Sequence, residues 1–293
     1  MKRSGAFDKL KVILVSHTHH DHVEDVPYIL SRVQKASSRP LVAGDKNLVG
    51  VLKAYRNREK EMPWLKGIEA LRSGPQKIFD FNEKKMQNPL PKQRLGLPVG
   101  TFGKFTITAY ISQHGLYDAL PFNLEGDVSG KAPLTGLQYK AYLNSSMTYL
   151  IEYNAGSDLP GGPNRTFRIF ASDSARFLNN ERVSAEVAEG GPVDILLEGI
   201  ASRIKDNKIP QRIDGFKPRY FIPTHYDNFF KPMDQFQIFD FMIMDPIIAP
   251  NDNSRLSEFI RTFGQDIHVP PPKLRMLKMS YYYSLQNLLT NPR

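Results

Sequence analysis

The chain has 293 residues, of which 41% are hydrophobic and 24% charged; these fractions fit a globular protein and exclude a disordered, collagenous or bilayer-spanning chain. Cysteine is absent, which excludes disulfides, thiolate metal sites and cysteine nucleophiles and leaves chemistry to histidines, carboxylates, hydroxyls and bound ions. The formal charge is +9, almost all of it in the first hundred residues, where it marks either an anionic partner or a solvated surface.

The basic start leads only to the short apolar run Val12-Ile13-Leu14-Val15. That run is too short for a signal-peptide core or a bilayer span, so the cytoplasm is the default location. Its β-branched character predicts a strand buried on both faces. Val26, Ile29, Leu30 and Val33 then recur at helical spacing, with Asp25 as N-cap and Pro27 in the first turn. Leu41 to Ala43 reads as a short strand and Lys46 to Tyr55 as a helix. Phe105, Ile107, Ala109 and Ile111 alternate along a strand. Met147 to Tyr153 and Phe167 to Ala171 are strands joined by the loop Leu159-Pro160-Gly161-Gly162-Pro163, which lacks the Gly-Lys-Ser/Thr ending of a phosphate cradle. Val193 to Leu197 and Tyr220 to Ile222 read as further buried strands. From Gly115 to Ser146 there is little periodicity, as in a binding loop. Strands alternating with helices predict an α/β protein, and the lack of a linker or repeat predicts a single domain over residues 1–293.

Four of the seven histidines fall within six residues, His17-Thr18-His19-His20-Asp21-His22, directly after the first strand. In open α/β sheets ligands bind at the carboxyl ends of strands. His17 and His19 are two apart in an extended segment, so their rings point the same way and can share an ion. Asp21 and His22, where the chain turns into the next helix, can face a second ion beside it. His114, Asp173 and His225 each follow the end of a strand, the placement needed to gather them at one rim. Imidazole and carboxylate without thiolate suit Zn²⁺, with Mn²⁺ or Fe²⁺ as alternatives. The competing reading is a surface histidine tract or a few hydrogen-bonded core histidines.

The pattern His-x-His-x-Asp-His, followed by a distant His, an Asp and a last His, resembles the metallo-β-lactamase superfamily. The resemblance spans residues 17 to 225. It implies a four-layer αββα sandwich with two metals at the sheet edge. His17, His19 and His114 would hold one ion, and Asp21, His22 and His225 the other, with Asp173 bridging. The segments Leu14 to Pro27 and Pro223 to Phe230 resemble the branch of ascorbate-6-phosphate lactonase and the N-acyl-phosphatidylethanolamine phospholipase D type enzymes. Family members usually place one or two strands before the histidine motif. Here it starts at residue 17, so the N-terminal strands are expected to be shortened or missing, and a leader ahead of Met1 stays open.

Two divalent ions about 3.5–4 Å apart share a water and bring its pKa towards 7, so the resemblance implies a hydroxide nucleophile and a Lewis acid for a carbonyl or phosphoryl oxygen. Asp21 is then both ligand and the catalytic group that orients the hydroxide and moves its proton. His20 is expected to hold the loop rather than a metal. Weaker substrate contacts are Tyr117, Arg176, Tyr226 and His268, with Phe122, Phe229 and Phe230 as further pocket candidates. The expected activity is hydrolysis of a lactone, carboxylic ester or phosphodiester in a small-molecule or lipid-like substrate. The rivals are a nuclease acting on RNA or DNA, motivated by the basic N-terminal third, and a metal-binding protein without catalysis.

Overall fold

The computed structural model describes residues 9–32, 40–57, 93–113, 126, 146–156, 165–172, 176–177, 180–199, 209–224 and 273–274. Strands and helices alternate, and the chain is of the α/β class. It divides into two compact units, one of residues 1–93, 111–114 and 122–147, the other of residues 94–110, 115–121 and 148–293.

In the first unit, β1 (Val12–Leu14) pairs in parallel with β2 (Leu41–Ala43). Between them lie α1 (His20–Val23) and α2 (Asp25–Ser31), separated only by Glu24. After β2 comes α3 (Lys46–Asn57). Leu48, Val51, Leu52 and Tyr55 repeat at helical spacing and are buried with Val15 and Val23 in one apolar cluster. Each fully buried side chain of this size contributes about 1.5–3 kcal/mol, so this cluster is what seats the short sheet. Gly44 allows the close approach at the end of β2. A Cβ there would lie 2.6 Å from Leu48 Cδ2 and 3.2 Å from both Val15 Cβ and its carbonyl oxygen.

The larger sheet runs β10-β9-β8-β6-β5-β4-β3, with β7 (Arg176–Phe177) pairing β4 off this path. β3 (Leu97–Phe102) and β4 (Phe105–Gln113) form a hairpin. Gly103 takes φ 65° at the first turn position, where glycine costs no Cβ clash. β5 (Ser146–Gly156) is antiparallel to β6 (Arg165–Ser172). β6, β8 (Ile195–Gly199), β9 (Tyr220–Thr224) and β10 (Lys273–Leu274) are parallel in that order.

One face of these parallel strands carries Phe167, Ile195, Tyr220 and Ile222 as a buried cluster. On the alternate positions, Phe170, Leu196 and Phe221 are also buried. α5 (Ile209–Phe216) packs on that second face, with the Phe170 and Phe216 rings 4.5 Å apart, and α4 (Asn180–Glu189) meets it through the Val187 carbonyl, which accepts from Arg168. Burial on both faces is why β6, β8 and β9 read as continuous apolar runs. Arg168 is buried inside this packing and bonded at every nitrogen. Arg168 Nε donates to Glu152 Oε1 at 3.0 Å, and its two terminal nitrogens donate to the carbonyls of Val187 and Gly191.

Several sequence expectations are corrected here. Asp25 is not an N-cap: the chain is already helical from His20, and Asp25 is the first residue of α2 after Glu24, which makes no side-chain cap bond. The run Val12–Val15 is not buried on both faces. Val12, Ile13 and Leu14 are half-buried and Val15 is fully buried; among the described residues their sheet has two strands. The strand expected from Val193 starts at Ile195; Val193 N instead donates to Phe216 O, at the end of α5. Phe105 was expected on the same face as Ile107 and Ala109 and is 44% exposed, while those two are buried. β3, α4 and α5 were not foreseen. Val33, the loop 159–163 and most of 115–145 lie outside the described residues. Among the described residues no helix is long and apolar enough to cross a membrane.

Candidate metal centre

The histidine segment begins where β1 ends. Val15 N still donates to Ala43 O, and Ser16 O accepts from Met147 N at 2.6 Å. The backbone is thus fixed immediately before His17. His19 is extended (φ −65°, ψ 156°), and the chain then turns into α1. The His17 and His19 side chains meet, while that of Thr18 turns to Asp45. His17, Thr18 and His19 are all buried.

His17 Nε2 and His19 Nδ1 face each other at 3.1 Å, with the rings edge to face. The His17 and His22 rings lie 4.0 Å apart between centroids. Ser16 Oγ sits 3.2 Å from His17 Nδ1 and 3.4 Å from His22 Nδ1, so one hydroxyl serves both rings. His22 Nε2 lies 3.1 Å from Asp21 Oδ2, and His20 Nδ1 lies 3.7 Å from Asp21 Oδ1.

One proton assignment satisfies every one of the shorter contacts with all three imidazoles neutral and Asp21 ionised. His19 Nδ1–H donates to His17 Nε2, and His17 Nδ1–H donates to Ser16 Oγ. Ser16 O–H then donates to His22 Nδ1, and His22 Nε2–H donates to Asp21 Oδ2. The two ends of this chain are the places where a cation can replace a proton. Two nitrogens each about 2.0–2.1 Å from a tetrahedral Zn²⁺ stand about 3.3 Å apart, and the His17–His19 pair stands at 3.1 Å. The donor chemistry of His17 with His19, and of Asp21 with His22, therefore fits a divalent ion. With His17 bound through Nε2, its Nδ1–H would still hold Ser16, the outer contact that fixes a ligating ring.

Among the described residues, no three His, Asp or Glu side chains are gathered closely enough to hold an ion. The histidine segment provides two pairs, and the residues expected to complete them, His114, Asp173 and His225, lie outside the described residues, as do Tyr117, Phe122, Tyr226, Phe229, Phe230 and His268. Arg176 is in β7, with its side chain outside the description. The strands leading to these ligands are described. β4 ends at Gln113, one residue before His114. β6 ends at Ser172 and β9 at Thr224, one residue before Asp173 and His225. In the parallel register Ser172 pairs with Glu198 and Glu198 with Pro223, so β6 and β9 end at the same sheet edge with β8 between them.

Two features were missed in the sequence. Glu198 is fully buried on β8 and bonded by Arg212 of α5, whose Nε donates to Oε2 at 2.9 Å and whose Nη2 donates to Oε1. Burial pushes the Glu198 carboxyl up to about 7, against the opposing pull of Arg212. A charged residue inside Ile195-Leu196-Leu197-Glu198 is a legible signal of a buried partner; the identity of that partner is not. The second feature is Asp45, also fully buried, whose Oδ1 accepts from Leu48 N at 3.0 Å and whose Oδ2 accepts from Thr18 Oγ1 at 3.3 Å. An Asp just before a helical pattern is an N-cap signal; its reach back to Thr18 is not written in the sequence.

The first-third charge excess finds little structure to act through. Of Arg56, Arg58, Lys60, Lys84, Lys85, Lys92 and Arg94, which carry much of that excess, only Arg94 has a described side chain, and it pairs with Glu189 at 3.4 Å on the exposed surface, an arrangement worth little.

No family model matches the chain, and no curated protein does. Among solved structures the chain is similar to Igni18, described as a novel metallo hydrolase from the hyperthermophilic archaeon Ignicoccus hospitalis, at 12% identity and a TM-score of 0.43, over 92% of this chain and 77% of that one. It is also similar to the short form of human tRNase Z, at 12% identity and a TM-score of 0.39, over 75% of this chain and 73% of that one.

Proposed function

We propose that the chain is a metal-dependent hydrolase of the metallo-β-lactamase type, working at a dinuclear centre. The observation that carries this reading is the buried pair of imidazole nitrogens, His17 Nε2 and His19 Nδ1, facing each other at 3.1 Å beside the Asp21–His22 pair. Two buried acceptor-capable nitrogens aimed at one point need a shared proton or a shared cation. The ligand set is that of the sequence reading: His17, His19 and His114 for one ion, and Asp21, His22 and His225 for the other, with Asp173 between them. Zn²⁺ is the expected metal, with Mn²⁺ or Fe²⁺ as alternatives.

Divalent ions held there supply a nucleophile from water at neutral pH and a Lewis acid for the scissile carbonyl or phosphoryl oxygen. The chain's own residues do the rest. Asp21, 17% exposed at its side chain, holds the proton that the attacking water gives up and passes it towards the leaving group. Ser16 fixes the His17 and His22 rings through one hydroxyl. His20, 33% exposed beside Asp21, restrains that carboxylate without being a ligand. The absence of cysteine suits an all-imidazole and carboxylate site. The lactonase and phospholipase D-like branch, read from the sequence around both end motifs, points to a lactone, carboxylic ester or phosphodiester as the bond.

A panel of lactones, carboxylic esters, aryl phosphodiesters and single-stranded RNA tests this with Zn²⁺- and Mn²⁺-loaded protein. Turnover of one of the first three, abolished by Asp173→Ala and by chelation, is the expected result. Turnover confined to RNA, falling steeply with salt, would replace it with the nuclease reading. Bound metal with no turnover on any member would leave a metal-binding protein.

A further inference from the structure

We propose that Asp45 is a positioning residue for the histidine segment, acting through Thr18. Thr18 stands between His17 and His19, whose rings face each other, while its own side chain is engaged by Asp45. Its hydroxyl donates to Asp45 Oδ2 at 3.3 Å, in fully buried surroundings for both residues. The other carboxylate oxygen caps α3 by accepting from Leu48 N at 3.0 Å. An anionic side chain at a helix N-terminus is favoured both by the open amides and by the helix dipole. One carboxylate therefore joins two elements. α3 is held in the apolar cluster through Leu48, Val51 and Leu52, and Asp45 transmits that rigidity to the peptide between the two facing rings.

Asn47 lies two residues further along the same first turn and donates from Nδ2 to Gly126 O at 2.7 Å. The start of α3 thus holds both the histidine segment and residue 126, which follows His114 in the chain. Gly44 belongs to the same device, because a side chain there would push Leu48 and Val15 apart. The functional consequence is that the separation of His17 Nε2 and His19 Nδ1 is set by α3 and not by the histidine segment alone. This inference rests on the metal-centre reading for its consequence, though not for its geometry.

The variant that isolates it is Thr18→Val, which is isosteric, removes the hydroxyl and leaves the α3 cap in place. Two readouts are taken on the full chain: Co²⁺ affinity with its visible absorption band, by competition against a chelator, and amide hydrogen exchange over residues 17–22. Thr18→Val is expected to weaken Co²⁺ about tenfold, a loss in the range set by removing outer-shell contacts. It should also alter the band and speed exchange in 17–22, while α3 stays protected. Thr18→Ser restores the hydroxyl and is expected to restore both. Asp45→Asn keeps a cap oxygen and offers an N–H to Thr18, so it should fall close to the wild type, whereas Asp45→Ala should match Thr18→Val and also loosen the start of α3. Unchanged exchange and unchanged Co²⁺ affinity in Thr18→Val would overturn the proposal. If the wild type binds no Co²⁺, the metal-centre reading fails by itself, and hydrogen exchange still decides whether Asp45 holds the segment.

Discussion

The histidine segment and the parallel strands handle buried polar groups in opposite ways. At the edge of the parallel strands, the prominent buried charges meet groups of complementary kind: Arg212 meets Glu198, and Arg168 meets Glu152 and the carbonyls of Val187 and Gly191. In the histidine segment, like faces like: His17 and His19 present ring nitrogens to each other, and Ser16 mediates between His17 and His22. Complementary pairs complete themselves and serve the fold. Imidazoles that face one another at hydrogen-bond distance are satisfied either by the relay of protons between them or by a shared cation, which is what the proposed site would use. The contrast separates structure from chemistry without reference to sequence relatives.

The comparison breaks most visibly at Arg212. Replacing it with Met leaves the Glu198 carboxyl buried beside an apolar chain, and breaking a pair of this kind costs about 3–5 kcal/mol. Urea unfolding should show that loss with no change in metal affinity per folded molecule. An altered affinity instead would mean that the ion pair belongs to the site. Gly44→Ala comes next. The added Cβ meets Leu48 and Val15 inside normal contact distance, and overpacking of this sort costs about 1–3 kcal/mol. Because Gly44 adjoins Asp45, this variant should lower both thermal stability and metal affinity, unlike Arg212→Met.

A further effect is in pH. Glu198 has a higher pKa in the folded chain, about 7, than its ordinary value of 4.5. Between these values the folded chain keeps a proton that the unfolded chain has released. The stability contributed is therefore complete below pH 4.5 and is lost as pH rises through 7. Glu198→Gln lacks this dependence, so the wild type's advantage over it in unfolding free energy should shrink from pH 4.5 to 7.5. A constant difference would show that Arg212 outweighs burial.

How much of this was legible in the sequence follows the same division. Parallel strands buried on both faces announce themselves as apolar runs, and Phe167 to Ala171 and Tyr220 to Ile222 are recognisable with ends off by one or two residues. Val12–Val15 misled because a short β-branched run announces a strand but not what packs on its two faces, and Val12, Ile13 and Leu14 are only half-buried. β3 was missed because Leu97-Pro98-Val99-Gly100 carries the marks of a loop; an edge strand tolerates Pro and Gly where a central one does not. The spacing of His17 and His19 foretold rings on one side, since a period of two is a property of any extended chain. The support of that spacing was hidden. Thr18–Asp45 spans 27 residues and Glu198–Arg212 spans 14, and no local pattern encodes a side-chain bond across such a gap.

The central claim is that the facing imidazoles of the first unit are a ligand pair. Metal content by inductively coupled plasma mass spectrometry, on chelator-stripped protein re-equilibrated with Zn²⁺, tests it most directly. The account predicts about two ions per wild-type chain, the number at which a bridged pair acts, and the loss of at least one in the His17→Ala, His19→Ala double variant, with circular dichroism unchanged. A wild type that takes up no Zn²⁺, or a folded double variant that holds as much as the wild type, would contradict it.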